Sequence, residues 1–287
     1  GYNPLSGDEI VLQAGAEYPG PIRLPFRSEP GTIVIRSSAL AELAEGRTVT
    51  VDDAPKLATI LGSDTDPAVI VEEQAKGYRP AGLELRPSAG VASETLLVVG
   101  SRASTLPEAL PTEIVVDRTL VRGDPSAGAS GGIELSSRSA AILDSRVTDI
   151  KVTSGEASGL TMNNTPGPVL VHNSVIDASW QNVSVGESAP GAPELAPSDI
   201  AICKSVLAKP GNWQGEGWAI KALLGMARGR RLLLAGTLIE GSWTDVYPGF
   251  GLVIRDHGAS EGIGTEDIAL VNVRMRNVEI ALEIETS

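Results

Sequence analysis

Three carboxylates, Asp149, Asp177 and Glu240, close short apolar stretches of similar pattern, VTD, VID and LIE. If those stretches stack as neighbouring strands, Asp149 and Asp177 stand one strand spacing apart, ~4.8 Å. Carboxylates that close either raise one partner's pKa, which suits acid–base catalysis, or draw in a hard cation such as Ca²⁺. A second column, Asp117, Asp144, His172 and Cys203, would set the imidazole of His172 beside Asp144. The expected catalytic residues are therefore Asp149, Asp177, His172 and Glu240, with Asp144, Asp149 and Asp177 as ligands if a metal is held. No cofactor is required, and Ca²⁺ is the ion that set suits. The plain alternative is that charges at strand ends are simply solvated.

Tryptophan placement adds a binding surface. The chain has four Trp, four Tyr and two Phe, yet Trp180 and Trp243 each follow a carboxylate by three residues, Asp177 and Glu240. Trp213 and Trp218 fall in the corresponding connection of the intervening unit. Flat aromatic faces beside carboxylates and amide or ammonium donors match the C–H faces and hydroxyl edges of a pyranose ring. Trp180, Trp213, Trp243 and Lys204 are the expected substrate-binding residues. The competing reading makes the rings gap fillers where a loop folds back on the body.

Both sets are positioned by one repeated unit. AILDSRVTDI (Ala141 to Ile150) is echoed by stretches beginning at Ile114, Val169, Ile200, Leu232 and Ile268, with starts 27, 28, 31, 32 and 36 residues apart. Such a period is the mark of a solenoid whose units bury a shared core. Each unit reads as strand, tight bend, strand. The second bend position holds Arg118, Ser145, Asn173, Lys204, Gly236 and Asn272, half of them Asn or Gly, which tolerate a left-handed backbone. A third strand lies between consecutive units: GIEL at Gly132, GLTM at Gly159, NVSV at Asn182, AIKAL at Ala219 and GLVI at Gly251. Three strands per turn, rich in β-branched residues, describe an all-β parallel β-helix of about nine to eleven coils.

The 287 residues are expected to form a single domain, with less regular coils over 1–110 and regular ones over 111–287. Leu40 to Ala44 suggests a short helix within a cap over the open end. Long connections at Ser101 to Thr112, Gly186 to Ser198 and Asp256 to Glu266 flank short ones at Ser136 to Ala140 and Asn163 to Pro168. A saddle of short loops between long walls resembles a groove. A net charge of -13 argues against nucleic acid and anionic membrane surfaces, since both need clustered Lys and Arg. No apolar run is long enough for membrane insertion. The single cysteine, Cys203, excludes an internal disulfide.

The whole pattern resembles the right-handed parallel β-helix, pectate-lyase-like superfamily. DEIVLQAGAEY at Asp8, TIVIRSSA at Thr32, PTEIVVDRTLVRGDP at Pro111 and GRRLLLAGTLIEGSW at Gly229 are similar to a group of uncharacterised bacterial β-helix proteins. The resemblance implies fold but not activity, because the superfamily holds lyases, hydrolases, epimerases, adhesins and phage spikes. VIRDH, ending in Asp256 and His257, keeps only the last two residues of a pectate lyase segment. Polygalacturonase signatures are missing: Asp52-Asp53 is misplaced, and Ala219-Ile220-Lys221 lacks the arginine. Lys204, Lys221 and Arg255 remain as bases for a lyase, with no spacing that selects one. The sequons at Asn163-Asn164-Thr165 and Asn182-Val183-Ser184 are short enough to arise by chance.

The expected function is that of a secreted or cell-surface protein that binds, and in the stronger form cleaves, a polysaccharide or cell-surface glycan. The alternative is a structural fibre segment or adhesin that self-associates through its C-terminal coil.

Overall fold

The alternation of apolar and polar residues produces strands with one face buried. In the computed structural model, which describes residues 4–245, 247–258 and 262–285, these strands wind into coils. Among the described residues, three parallel sheets of nine strands stack in strict chain order. Each coil gives one strand to each sheet, so the chain forms a nine-coil parallel β-helix. The repeats read from the sequence are coils four to nine. Coil five comprises Ala140–Leu143, Arg146–Ile150 and Ser158–Met162, and coil six Val169–His172, Val175–Ala178 and Gln181–Val185. Coil seven comprises Ser198–Cys203, Val206–Ala208 and Ala222–Met226. Its third strand starts at Ala222, three residues later than AIKAL suggests, because Ala219 and Ile220 are drawn into the preceding loop, where Asp245 accepts from the Ile220 N–H at 3.2 Å. One continuous core of Ile, Leu and Val runs from Leu24 in coil one to Ile254 in coil eight.

The bend between the first and second sheets repeats at one register. Arg118, Asp144, Asn173, Lys204, Gly236 and Asn272 all have positive φ, between 42° and 60°. Asp144, not Ser145, is therefore the bend residue of coil five. Val116 pairs with Ile142 and Asp117 with Leu143 across coils four and five, so this unit begins at Ala140, one residue earlier than the repeat suggests. The next position along carries a ladder of buried hydroxyls, Thr119, Ser145, Ser174, Ser205 and Thr237. The N–H of Thr119, Ser145 and Ser174 each donates to the hydroxyl one coil further on, at 3.1, 3.1 and 3.2 Å. These bonds satisfy donors that the bend removes from the sheet ladders.

The segment expected to cap the end lies elsewhere. Its short helical turn exists as the 3-10 stretch Leu40–Glu42, but residues 43–50 run down the side of the solenoid along these bends. Arg118 Nη1 donates to Leu43 O at 3.0 Å, Gly46 N to Asp144 Oδ2 at 2.8 Å, and Thr48 Oγ1 to Asn173 O at 2.6 Å. Leu43, Val49 and Leu57 are buried there against Leu120. No described helix is long and apolar enough to cross a membrane.

Candidate functional site

The register decides which expected residues meet. His172 pairs with Leu143 and Cys203, so Asp144 is not its neighbour in the column. Asp144 instead accepts from Gly46 N and from Asn173 Nδ2, the latter at 2.7 Å, which makes it a tether for residues 43–50. Asp149 leaves its column because the pairing of coils five and six shifts between Val147 and Ile150. Its φ is +55°, and Lys151 Nζ stands 2.8 Å from its carboxylate. Asp177 is buried and holds Arg146 Nη2 at 2.8 Å. Burial pushes the Asp177 carboxyl up, Arg146 and Thr148 pull it down, and the charge of Asp149 adds a smaller upward push. Each carboxylate of the expected pair thus has its own cation. Glu240 is held by Arg276 at 2.7 Å and kept below its ordinary pKa by that partner. Among the described residues no group of three His, Cys, Asp or Glu side chains could hold a metal ion; Asp144 stands at the first bend, apart from Asp149 and Asp177 on the second sheet. Lys204 is exposed at that same bend, away from the tryptophans.

All four tryptophans do lie in connections from the second to the third sheet, but lysines of the same chain cover most of their faces. Lys151 Nζ sits 5.1 Å from the ring centre of Trp213 and 4.9 Å from that of Trp218. Lys221 Nζ is 5.1 Å from Trp180, whose ring meets Tyr247 edge-on at 5.4 Å. Trp213 is buried. These rings brace the corner through cation–π contacts. Trp243 is the exception: with Glu240, Gln214 and Asn277 it lines a cavity of about 550 Å³. The structure therefore brings together two of the expected residues, Trp243 and Glu240.

The saddle of short loops is roofed rather than open. Asn164 Nδ2 donates to Ser101, Arg102 and Ser104 carbonyls at 3.3, 3.1 and 2.8 Å, while its Oδ1 accepts from Gly191 N at 2.9 Å. The two long loops thus fold together over coil five. Asn164 is fully buried, and so is Asn182, whose Nδ2 donates to Ile176 O and Ala208 O. The second sequon therefore offers no accessible acceptor, and the acceptor of the first, Asn163, is 3% exposed.

The trough lies beside that roof, on the outer face of the third sheet. Val183, Leu160 and Ile133 are stacked inward, and the residues that follow them, Ser184, Thr161 and Glu134, form an outward column. A second outward column runs Ser158, Gly131 and Thr95. Together they floor a cavity of about 210 Å³, extending over four coils, roughly 14 Å at the strand spacing. Arg102, Glu156 and Glu187 stand at its margins. Arg102 grips Glu134 with both arms, at 2.8 and 2.6 Å, and that pairing raises the arginine pKa. Gln181 Nε2 donates to Glu187 Oε1 at 3.0 Å over Gly225, where a Cβ would collide with the Gln181 amide. The sequence reading missed this site, although its signal was present: the middle residues of GIEL, GLTM and NVSV are polar outward positions that stack.

No protein-family model matches the chain, and no curated protein matches it. Among solved structures it is similar to an alginate lyase from Paenibacillus sp. str. FPU-7, with a TM-score of 0.58 and 12% identity over 99% of this chain and 94% of that one. Two weaker likenesses are to the A-module of the mannuronan C-5 epimerase AlgE4 from Azotobacter vinelandii and to the Dettilon tailspike protein. The first has a TM-score of 0.43 and 10% identity over 98% of this chain and 91% of that one. The second has a TM-score of 0.28 and 10% identity over 92% and 60%. At such identities the likeness is one of architecture, and it defines the class: an all-β, right-handed parallel β-helix.

Proposed function

We propose that this β-helix binds a polysaccharide laid along the trough of the third sheet. The observation that carries the reading is the floor: Thr95 of coil three, Ser158 and Thr161 of coil five and Ser184 of coil six present hydroxyls, with Gly131 of coil four between them. Each hydroxyl both donates and accepts, as do those of a sugar chain. An open channel spanning several coils suits a polymer better than a compact ligand. That a protein of the same architecture is an alginate lyase supports a polysaccharide by analogy of fold, and it accords with a place outside the cell. Replacing Ser158 by Trp would fill the channel from an outward position without touching the core. Affinity electrophoresis against a glycan panel should then show at least a tenfold loss of binding; unchanged binding with an intact fold sinks the reading. Cleavage, if the bound chain is also cut, falls to the trough carboxylates Glu156 and Glu187, and assays for reducing ends and unsaturated products, with Ca²⁺ and with a chelator, read it.

A second reading, association of copies end to end, draws on the ninth coil. Leu270, Leu282 and Ile284 occupy core columns there yet are exposed. Following the registers through every coil puts Arg274 in the column of Glu17 and Glu283 in that of Arg23. Head-to-tail stacking would set unlike charges together. Light scattering over a concentration series tests this reading; a strict monomer at high concentration contradicts it.

A further inference from the structure

Resting on the trough as a glycan site, we infer that its occupant is a glycan without carboxylates, built of neutral or amino sugars rather than uronic acids. The trough carries three glutamates, Glu134, Glu156 and Glu187, against one arginine, Arg102. That arginine is consumed by Glu134 in the two-armed pair already described, so no cation of the lining remains for Glu156 or for Glu187, whose Oε1 accepts from the uncharged Gln181 amide. Of the cations beyond the lining, Arg228 donates to the Gly186 and Glu187 carbonyls at 3.2 and 3.4 Å, and Arg255, which also feels the charge of Glu187, is paired with Glu285 at 2.5 Å and Glu283 at 3.8 Å. The protein as a whole bears a formal charge of -13. A polyuronate brings one negative charge per sugar into this field, and like charges disfavour each other most where water is partly excluded.

The uncharged part of the channel points the same way. Ser184 is only 4% exposed, lines the trough, and has no hydrogen-bond partner for its hydroxyl among the described residues. Asn163 is 3% exposed and lines it too; its Oδ1 accepts from Ser188 N at 3.4 Å, and its Nδ2 donates to no described group. The Ser184 hydroxyl and the Asn163 Nδ2, both at the trough, suit groups that both donate and accept, as sugar hydroxyls and amines do. Neither supplies the cationic fork that recognises a carboxylate.

The test is titration calorimetry with oligosaccharides of a neutral glucan, of a mannan, of chitosan and of alginate, at low and high salt. Wild-type protein should bind at least one of the first three, and bind alginate at least tenfold more weakly at low salt, with added salt narrowing the gap. The double variant Glu156→Gln/Glu187→Gln should shift the ratio of alginate to neutral-chain affinity about tenfold toward alginate. Alginate bound most tightly by the wild type, with no gain in the double variant, overturns the charge argument while leaving the trough a glycan site. Binding of none of the four by folded protein sinks the trough reading itself and this inference with it.

Discussion

Lys209 extends into the interior behind the Trp180 corner, where its Nζ finds three acceptors: Ala178 O at 2.7 Å, Asn182 Oδ1 at 2.9 Å and Ala222 O at 3.0 Å. The amino group thus ties coils six and seven together. Burial drives its pKa well below the ordinary lysine range, with Asp177 opposing. Between that lowered value and about 10.4, the unfolded chain holds a proton that the folded protein lacks, so stability rises with pH through this window. Lys209→Met leaves the three acceptors bare and should cost about 2–4 kcal/mol near neutral pH. It should also flatten the rise with pH, as urea unfolding from pH 7 to 10 would show; an unchanged slope contradicts the assignment. Nothing in the sequence marked Lys209 as buried, because its neighbours Ala208 and Pro210 suit a surface turn equally well. His172 shows the opposite error. A one-residue offset in a single repeat was enough to place Asp144 beside it, where the structure has Leu143.

At the scale of the element, the bend between the first two sheets combines a left-handed residue with a hydroxyl behind it. Ser174→Ala removes the acceptor of the Ser145 N–H and should destabilise by about 1–3 kcal/mol, the cost of a buried donor left unpaired. Left-handed backbone is strained for most side chains. Gly236, with φ +60° and only van der Waals contact with Lys204, at 3.9 Å, where its Cβ would be, should therefore lose about 1–2 kcal/mol as Val, chiefly from conformation. Lys204→Asn at the same register should be neutral or gain up to about 1 kcal/mol. Thermal denaturation of the two variants checks the pair; an unharmed Gly236→Val together with a destabilised Lys204→Asn would refute the register. The Asn and Gly of this column made the bend legible in advance. The hydroxyl ladder was equally present one position along, but Ser145, counted as a bend residue, broke the series. The bulge at Asp149 was hidden because a local register shift leaves no mark in apolar periodicity.

Across the whole molecule, the regular spacing of apolar triplets specified the stack, since each coil buries its inner residues only against its neighbours. Nine coils, three sheets and the place of the tryptophans follow from that periodicity. The roofed saddle does not, because loop lengths say how far a connection reaches and not that Asn164 draws two of them together. Stacking also predicts a gradient of order. Coil nine pairs on one side only within the described chain, so amides of Thr265–Val271 and Ile280–Glu285 should exchange with solvent faster than those of Ala140–Leu143 and Gln181–Val185. Uniform protection in hydrogen exchange would point to a partner covering that end.

The trough is where fold becomes function, and one comparison tests it most directly: glycan affinity of the wild type against Ser158→Trp, measured by calorimetry on protein whose melting temperature is matched. Binding by the wild type and at least a tenfold loss in the variant would place the polymer on the third sheet. Equal binding by both would remove it from that face and turn attention to the cavity of Trp243 and Glu240.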